Sequence, residues 1–201
     1  RIPLDAYQRF HTWITSTKGR GRVEGIPDQQ LKVATLGRQR IDRSYPSVDD
    51  LMAKGVPAGI ANALAPFQRG GVDFCLERNG RALVADEMGL GKTIEALAVL
   101  THLRSKGSHH SLVVCPAAVV TNWIREVQAK SALNAHRLHG PGRDAALRSW
   151  RRNGGVAVTT YESLGWLEPH LGLVEELACV VLDEAQAIKN PSAKQSQATR
   201  D

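Results

Sequence analysis

The sequence predicts an α/β fold in which a parallel sheet is covered by helices on both faces. Short apolar runs alternate with longer helical patterns from about residue 80 onward. The runs are apolar along nearly their whole length, as expected of strands that are buried on both faces. The chain has 201 residues, of which 42% are hydrophobic, enough for one medium-sized core. Strands that are separated by helices in this way form parallel sheets.

The predicted elements follow one another in a regular order. The predicted strands are 81–85 (RALVA), 111–115 (SLVVC), 135–139 (AHRLH), 155–160 (GVAVTT) and 178–183 (ACVVLD). The predicted helices between them are 92–105, 118–130, 142–152 and 172–177. A further helix is expected to begin at Pro66, because proline suits the first turn of a helix.

Residues 1–65 have a different composition, with fewer apolar runs and more Gly and Arg. They are predicted to form a short, mostly helical N-terminal extension that serves as an accessory segment or a linker. Two short helices are expected within SVDDLMAKGVPAGIANAL, the first capped by Ser47. The main domain is predicted to span residues 66–201. Because the chain starts at Arg1 and stops at Asp201 inside a helical pattern, we expect it to be a piece of a longer protein.

The stretch ADEMGLGKT (85–93) predicts a phosphate-binding loop between a strand and a helix. Backbone N–H groups at a helix N-terminus favour anions, and Gly89 and Gly91 allow the loop to curl. Lys92 supplies a positive charge to the phosphates, and Thr93 offers a hydroxyl to magnesium. Asp86 stands where the general pattern G-x-x-x-x-G-K-[ST] has its first glycine. A glycine-rich turn with an incidental lysine is the alternative.

Two adjacent carboxylates, Asp183 and Glu184, end the apolar run CVVLDEAQ. In a parallel sheet ligands bind at the carboxyl ends of strands, which would bring both side chains beside the phosphate loop. Hydrolysis of a nucleoside triphosphate needs a carboxylate for magnesium and a group that orients water. Asp183 suits the first role and Glu184 the second. The alternative is a pair of acidic residues that stabilises a helix N-terminus.

The segments ALVADEMGLGKTIEALAVL and VVLDEAQAIKNPSAK resemble motifs I and II of the SWI/SNF (Snf-two) family of DNA translocases in helicase superfamily two. The resemblance implies a RecA-like lobe, and it implies that Asp86 is a family trait. PFQRGGVDF resembles the glutamine motif of that family, which implies that Gln68 reads the adenine edge. The sequence of residues 64–93 is also similar to the HepA-related, annealing-helicase branch of the family. The residues expected to contact nucleotide are Gln68, Asp86, Glu87, Met88, Gly89, Leu90, Gly91, Lys92 and Thr93.

Two further segments are similar to the family's DNA-contacting motifs. LVVCPAAVVTNWIREV (112–127) resembles motif Ia and VAVTTYESL (156–164) resembles motif Ib. The resemblance implies that Pro116, Ala117, Ala118 and Thr160 approach the DNA backbone. For Thr160 the alternative is hydrogen bonding at a strand end, and Trp123 is expected to be a packing residue.

The resemblance implies an ATP hydrolase that moves along double-stranded DNA, with Lys92, Asp183, Glu184 and Gln186 as catalytic residues and ATP and magnesium as cofactors. Gln186 would couple the nucleotide state to motif III, expected beyond Asp201, and to a second RecA-like lobe. That lobe carries the arginine finger, so this lobe by itself is expected to turn ATP over poorly. Two alternatives stay open: a nucleotide-gated binding module that does not translocate, and a lobe of an RNA helicase.

Charge and cysteine content agree with a DNA-acting intracellular protein. The net charge is +6 and the excess lies mainly in residues 1–45, which favours a polyanionic partner, although a solvated surface is an equal alternative. Cys75, Cys115 and Cys179 show no zinc or disulfide pattern. No apolar run approaches the roughly 20 residues of a membrane span. We therefore expect no membrane partner.

Overall fold

The structure is a computed structural model that describes residues 44–85, 89–172, 174 and 177–185. The chain divides into two compact units, Arg1–Ser44 and Tyr45–Asp201, and the following account concerns the second. Its helices are α1 (Val48–Ala53), α2 (Ala58–Ala61), α3 (Pro66–Glu77), α4 (Lys92–Ser105), α5 (Val120–Lys130), α6 (Arg143–Asn153) and α7 (Leu164–Leu171). Short 3₁₀ turns, Ala117–Val119 and Tyr161–Ser163, precede α5 and α7.

The described strands form one parallel sheet. They are β1 (His110–Cys115), β2 (Ala135–Arg137), β3 (Gly155–Thr160) and β4 (Leu177–Leu182), in the spatial order β2-β3-β1-β4. The chain thus leaves β1 toward one edge of the sheet, returns through β3 and crosses to the other side of β1 as β4. A chain that reverses direction in this way keeps right-handed crossovers only by placing helices on both faces.

Each face of the sheet has its own hydrophobic core. Alternate strand residues point to opposite faces, so Val113 and Cys115 join one cluster, and Leu112 and Val114 join the other. Helices α1–α5 supply the first cluster, and α6 and α7 supply the second. The predicted α/β fold with a central parallel sheet flanked by helices is therefore confirmed.

Helices α1 and α2 contribute to the first core. Leu51 and Ala61 are fully buried there, together with Val72 of α3. The Ser47 hydroxyl accepts a hydrogen bond from the backbone N–H of Asp50, as expected of a helix cap. Residues 48–61 thus share a core with the helix that begins at Pro66. The division of the chain at residue 65 stays a prediction.

Several predicted elements agree closely with the structure. Helix α4 and strand β3 have the predicted bounds, and β1 and β4 each begin one residue earlier than predicted. The predicted strand 135–139 is shorter, because β2 ends at Arg137 and Leu138 continues with a single backbone bond to Val158. In the described part of the chain, no helix is both long enough and apolar enough to cross a membrane.

The predicted strand 81–85 is wrong. Arg81 and Ala82 donate backbone hydrogen bonds within the turn that follows α3, to Arg78 and Gly80. Ala82 and Val84 pack partly buried against the first core. An apolar segment becomes a strand only where a neighbouring strand pairs with its backbone, and packing against the first core alone accounts for the apolar residues here.

The predicted helix 172–177 is contradicted at its described residues, 172, 174 and 177, and its other residues lie outside the described part of the chain. Gly172 caps the end of α7, and Leu177 already pairs with His110 in the sheet. The pattern in 172–177 covers fewer than two turns, which is too short to nucleate a helix against strand pairing. Helix α7 is not predicted from the sequence, because Pro169 lies inside it. Burial of Leu167 and its neighbours on the second core outweighs the bond that this proline cannot make.

Candidate nucleotide-binding site

Three strand ends meet at one edge of the sheet. Strands β1, β3 and β4 are parallel neighbours that end at Cys115, Thr160 and Leu182. The register pairs Cys115 with Thr160, and Val114 with Leu182. The segments that follow these strands therefore lie side by side, at the edge where open α/β sheets bind ligands.

The predicted phosphate loop leads into α4 through left-handed glycines. Gly89 and Gly91 have φ of 86° and 82°, and Gly91 is the N-cap of α4. A Cβ at Gly91 would lie 2.5 Å from the amide nitrogen of Gln68, so a side chain would both strain and block this turn. Lys92 and Thr93 occupy the first turn of α4 and are half-buried. The predicted contacts Asp86, Glu87 and Met88 lie outside the described residues.

Gln68 joins α3 to this loop. Its Oε1 accepts a hydrogen bond from the backbone N–H of Ala65 at 2.9 Å, and its Nε2 donates to the carbonyl oxygen of Leu90, also at 2.9 Å. Gln68 was expected to read adenine, and that role stays a prediction. The contact with the loop is a feature that the sequence did not indicate, because the two residues are 22 positions apart.

Asp183 is held by donors from three parts of the chain. Trp123 donates its indole N–H to Oδ2 at 2.8 Å, and the backbone N–H of Glu184 donates to Oδ1 at 3.0 Å. The Tyr161 hydroxyl donates to the carbonyl oxygen of Asp183 at 2.8 Å. The N–H of Asp183 donates to Val114, which extends the pairing of β4 with β1. Trp123 packs in the core as expected, but the contacts of Trp123 and Tyr161 with Asp183 are new.

Glu184 has an unusual backbone. Its φ is 52°, the left-handed region that residues with a Cβ adopt uncommonly. Such conformations persist where the surroundings impose them, and they are frequent at functional sites. Asp183 and Glu184 form a turn directly after β4. Gln186 lies outside the described residues.

The candidate DNA-contacting residues differ in exposure. Ala117 and Ala118 are exposed and Pro116 is half-buried, at the turn between β1 and α5. Thr160 is fully buried, and its hydroxyl lies 3.0 Å from that of Ser163 and 3.4 Å from Nδ1 of His139. This arrangement favours the strand-end alternative for Thr160. The DNA contacts of all four predicted residues stay predictions.

Burial makes the Cys115 thiol and the Tyr161 hydroxyl, which lie near Asp183, weaker acids than usual. Burial, with a smaller contribution from the Asp183 charge, raises the pKa of Cys115 to about 12 and raises the pKa of Tyr161 above its usual value. Cys75, elsewhere in the first core, has its pKa raised to about 11, mainly by burial. These groups stay neutral near pH 7, so the Cys115 thiol and the Tyr161 hydroxyl add no charge beside Asp183.

The chemistry of the site fits a nucleoside triphosphate with magnesium. In the described residues, no group of three or more His, Cys, Asp or Glu side chains forms a metal site. Magnesium typically needs no such cage, because it binds one or two carboxylates together with substrate phosphates and water. Asp183 supplies a carboxylate whose described partners are neutral donors, and Thr93 supplies a hydroxyl at the start of α4. A Cβ at Gly89 would meet no atom within 4 Å, so the loop is open at Gly89, close to a helix N-terminus that favours phosphate.

Comparisons of this chain with known proteins agree on one family. Residues 67–201 match the family model described as SNF2-related domain. The chain is 33% identical over 171 residues to the putative ATP-dependent helicase/translocase YwqA of Bacillus subtilis, covering 79% of this chain and 18% of that protein. It is 30% identical over 181 residues to a SWI/SNF-related matrix-associated actin-dependent regulator of chromatin, subfamily A-like protein 1, of Bos taurus, covering 84% of this chain and 18% of that protein.

A solved structure also matches. The Sulfolobus solfataricus SWI2/SNF2 ATPase core in complex with dsDNA is similar with a TM-score of 0.57 and 30% identity, covering 68% of this chain and 29% of that chain. This chain thus spans about a fifth of the two relatives named above. Both relatives are much longer proteins than this chain.

Proposed function

The chain belongs to the family of SNF2-related domains, and we propose that it is the ATP-binding lobe of an enzyme that couples ATP hydrolysis to movement along double-stranded DNA. The observation that carries the proposal is the placement of Asp183 and Glu184 at the carboxyl end of β4. Asp183 is fixed there by Trp123 and Tyr161, and α4, which begins at the phosphate loop, packs against β4. A fixed carboxylate and a phosphate loop are two of the parts that enzymes of phosphoryl transfer use.

The residues of the chain divide the work of binding and hydrolysis. The loop amides from Gly89 to Gly91 and the ammonium of Lys92 bind the phosphates, and Gln68 binds the adenine edge. Asp183 and Thr93 hold magnesium, which supplies charge neutralisation at the phosphate oxygens when it is bound. Glu184 orients the attacking water. Glu184 directly follows Asp183 in the turn after β4, where its φ is 52°.

Turnover and movement depend on parts outside this lobe. We propose that a second RecA-like lobe of the same protein closes on the nucleotide and supplies an arginine, a contribution of about 10³–10⁵ in rate in related phosphoryl transfer. Gln186 would link the nucleotide to that lobe. The Pro116–Ala118 turn and the end of β3 near Thr160 would contact the DNA backbone. A protein that acts on DNA in this way works inside the cell, in the cytoplasm or nucleoid of a bacterium or in the nucleus of a eukaryote.

The test is a steady-state ATPase assay on a chain extended to include both lobes. Double-stranded DNA should raise turnover more than single-stranded DNA or RNA of the same length does. The 201-residue chain should bind ATP with magnesium but turn it over near background. Stronger stimulation by RNA would identify an RNA helicase instead. ATP binding without nucleic-acid-stimulated turnover in the extended chain would identify a nucleotide-gated binding module.

A further inference from the structure

Asp183 is immobilised through both its side chain and its backbone. Trp123 and the N–H of Glu184 each occupy one carboxylate oxygen, while Tyr161 binds the carbonyl oxygen and Val114 accepts from the N–H. A carboxylate has about four lone-pair sites, so two hydrogen bonds leave two sites for a cation. The positions of the two donors determine which two lone-pair sites of Asp183 remain.

The two side-chain donors are themselves rigid. Trp123 is 2% exposed and Tyr161 is 3% exposed, and both rings belong to the hydrophobic cores. Trp123 lies on the first turn of α5, next to the turn after β1, and Tyr161 directly follows β3. Asp183, which follows β4, is therefore held by residues of the segments that follow β1 and β3. Rigid second partners of this kind orient metal-binding carboxylates and set metal affinity.

We propose that Trp123 and Tyr161 are positioning residues for magnesium binding: the indole N–H of Trp123 selects the Asp183 oxygen lone pairs that face the ion, and the Tyr161 hydroxyl holds the backbone beneath them. The inference rests on the proposed function, because it takes Asp183 as the magnesium-binding carboxylate. Both donors are neutral. They orient the carboxylate without cancelling the negative charge that attracts the cation, as a Lys or Arg in the same place would.

The binding test compares Trp123→Phe with Trp150→Phe in the 201-residue chain. Trp150 is a matched control, because it is fully buried and its indole N–H also donates one hydrogen bond, to Gly155 at 3.1 Å, in the core on the other face of the sheet. ATP affinity is measured by calorimetry with magnesium chloride and again with EDTA. The parent and Trp150→Phe should bind ATP more tightly with magnesium. Trp123→Phe should keep the affinity measured in EDTA and lose about ten-fold or more of the magnesium-dependent gain. Tyr161→Phe should lose part of it.

A spectroscopic test needs no tryptophan variant. The chain has four tryptophans, so its ¹H–¹⁵N spectrum contains four indole signals, assigned by triple-resonance experiments. The Trp123 signal should move when Asp183→Asn replaces the charged acceptor by a neutral one, and it should move when ATP is added with magnesium. It should move much less with ATP in EDTA. The Trp150 signal should stay in place in all three comparisons.

The outcomes separate the inference from the function on which it rests. If the parent binds ATP no better with magnesium than with EDTA, both the proposed site and this inference are wrong. If the parent shows the magnesium gain but Trp123→Phe keeps all of it, the inference alone is wrong. A Trp123 signal that does not respond to magnesium in the parent leads to the same conclusion, even if Trp123→Phe proves too unstable to purify.

Discussion

The side-chain amide of Gln68 donates from Nε2 to the carbonyl oxygen of Leu90 at 2.9 Å, so the first turn of α3 is bonded directly to the phosphate loop. The other end of the amide accepts from Ala65, which leaves the group fixed in both directions. The shape of the loop therefore depends on a helix residue that precedes Leu90 by 22 positions.

Gln68→Glu should weaken ATP binding by about ten-fold. The substitution keeps the acceptor for the Ala65 N–H, but it sets an oxygen against the carbonyl of Leu90, and a lost hydrogen bond costs about 0.5–1.5 kcal/mol before repulsion. Asn62→Asp is the matched control, since the Asn62 amide also donates to a backbone carbonyl, that of Ala58, at 2.9 Å. Calorimetric titration with ATP and magnesium measures both. Equal effects of the two variants would contradict a specific role for Gln68.

Lys92→Ala should lower ATP affinity by about 10–100-fold, because hydrogen bonds to charged groups contribute about 1.5–3 kcal/mol. The melting temperature should stay close to that of the parent, since Lys92 is not part of either core. Lys106→Ala, at the opposite end of α4, changes the same charge away from the loop and should bind ATP normally. If Lys92→Ala bound ATP as well as Lys106→Ala, the placement of the phosphates would be wrong.

Glu184→Gln, in a chain extended to include both lobes, should keep ATP binding and lower turnover by about 10²–10⁴-fold. An amide of the same shape hydrogen-bonds water without accepting its proton. Glutamine adopts the left-handed conformation of Glu184 no more readily than glutamate, so the change removes charge and leaves the local backbone demand the same. Glu168→Gln, on the exposed face of α7, is the control. Steady-state turnover that matches this control would show that another residue orients the water.

Cys75 and Cys115 should label slowly in the folded chain. Thiolate is the reactive form, and a pKa raised from 9.0 to about 11 reduces its population near pH 8 by about 100-fold for Cys75 and further for Cys115. Reaction with iodoacetamide, followed by mass spectrometry before and after unfolding, measures the difference. Fast labelling of either residue in the folded state would mean that its thiol is accessible.

The same thiols predict how stability depends on pH. Their folded pKa values lie above the unfolded value of 9.0, so the unfolded chain releases these protons first as the pH rises. Their contribution to the free energy of unfolding is complete below pH 9.0 and declines between pH 9.0 and about 11–12. Urea unfolding at several pH values in this range checks the slope. The Cys75→Ala, Cys115→Ala double variant should show a shallower decline, and an identical slope would contradict the assignment.

The sequence indicates those parts of the fold that depend on local periodicity. The bounds of α4 follow from a helical pattern between a glycine loop and Gly107, and β3 follows from an apolar run between Gly154 and the turn at Tyr161. The segment 81–85 has the same local pattern as a strand, and only the absence of a described pairing partner distinguishes it. Local pattern therefore predicts which segments are apolar and leaves their pairing undetermined.

The candidate site also contains residues that the sequence indicates and contacts that it does not. Lys92, Thr93, Asp183 and Glu184 stand out because each lies in a short motif whose chemistry is local. The support of Asp183 by Trp123 spans 60 positions of the chain. In the sequence, Trp123 fits the buried stripe of α5 with Val120 and Val127, which explains its packing without indicating its hydrogen bond. Such contacts become visible only when the strand ends are brought together.

Strand β4 carries Asp183 at its end, yet it pairs only with β1 among the described strands, and Val180 in its middle is 48% exposed. Amides along an outer strand exchange with solvent deuterium more readily than those of a strand bonded on both sides, such as β1. The exchange rate of β4 is thus a natural reporter of the site that the strand supports. A ligand that binds Asp183 will slow deuterium uptake along β4. The uptake along β1, which is already protected on both sides, will stay almost unchanged.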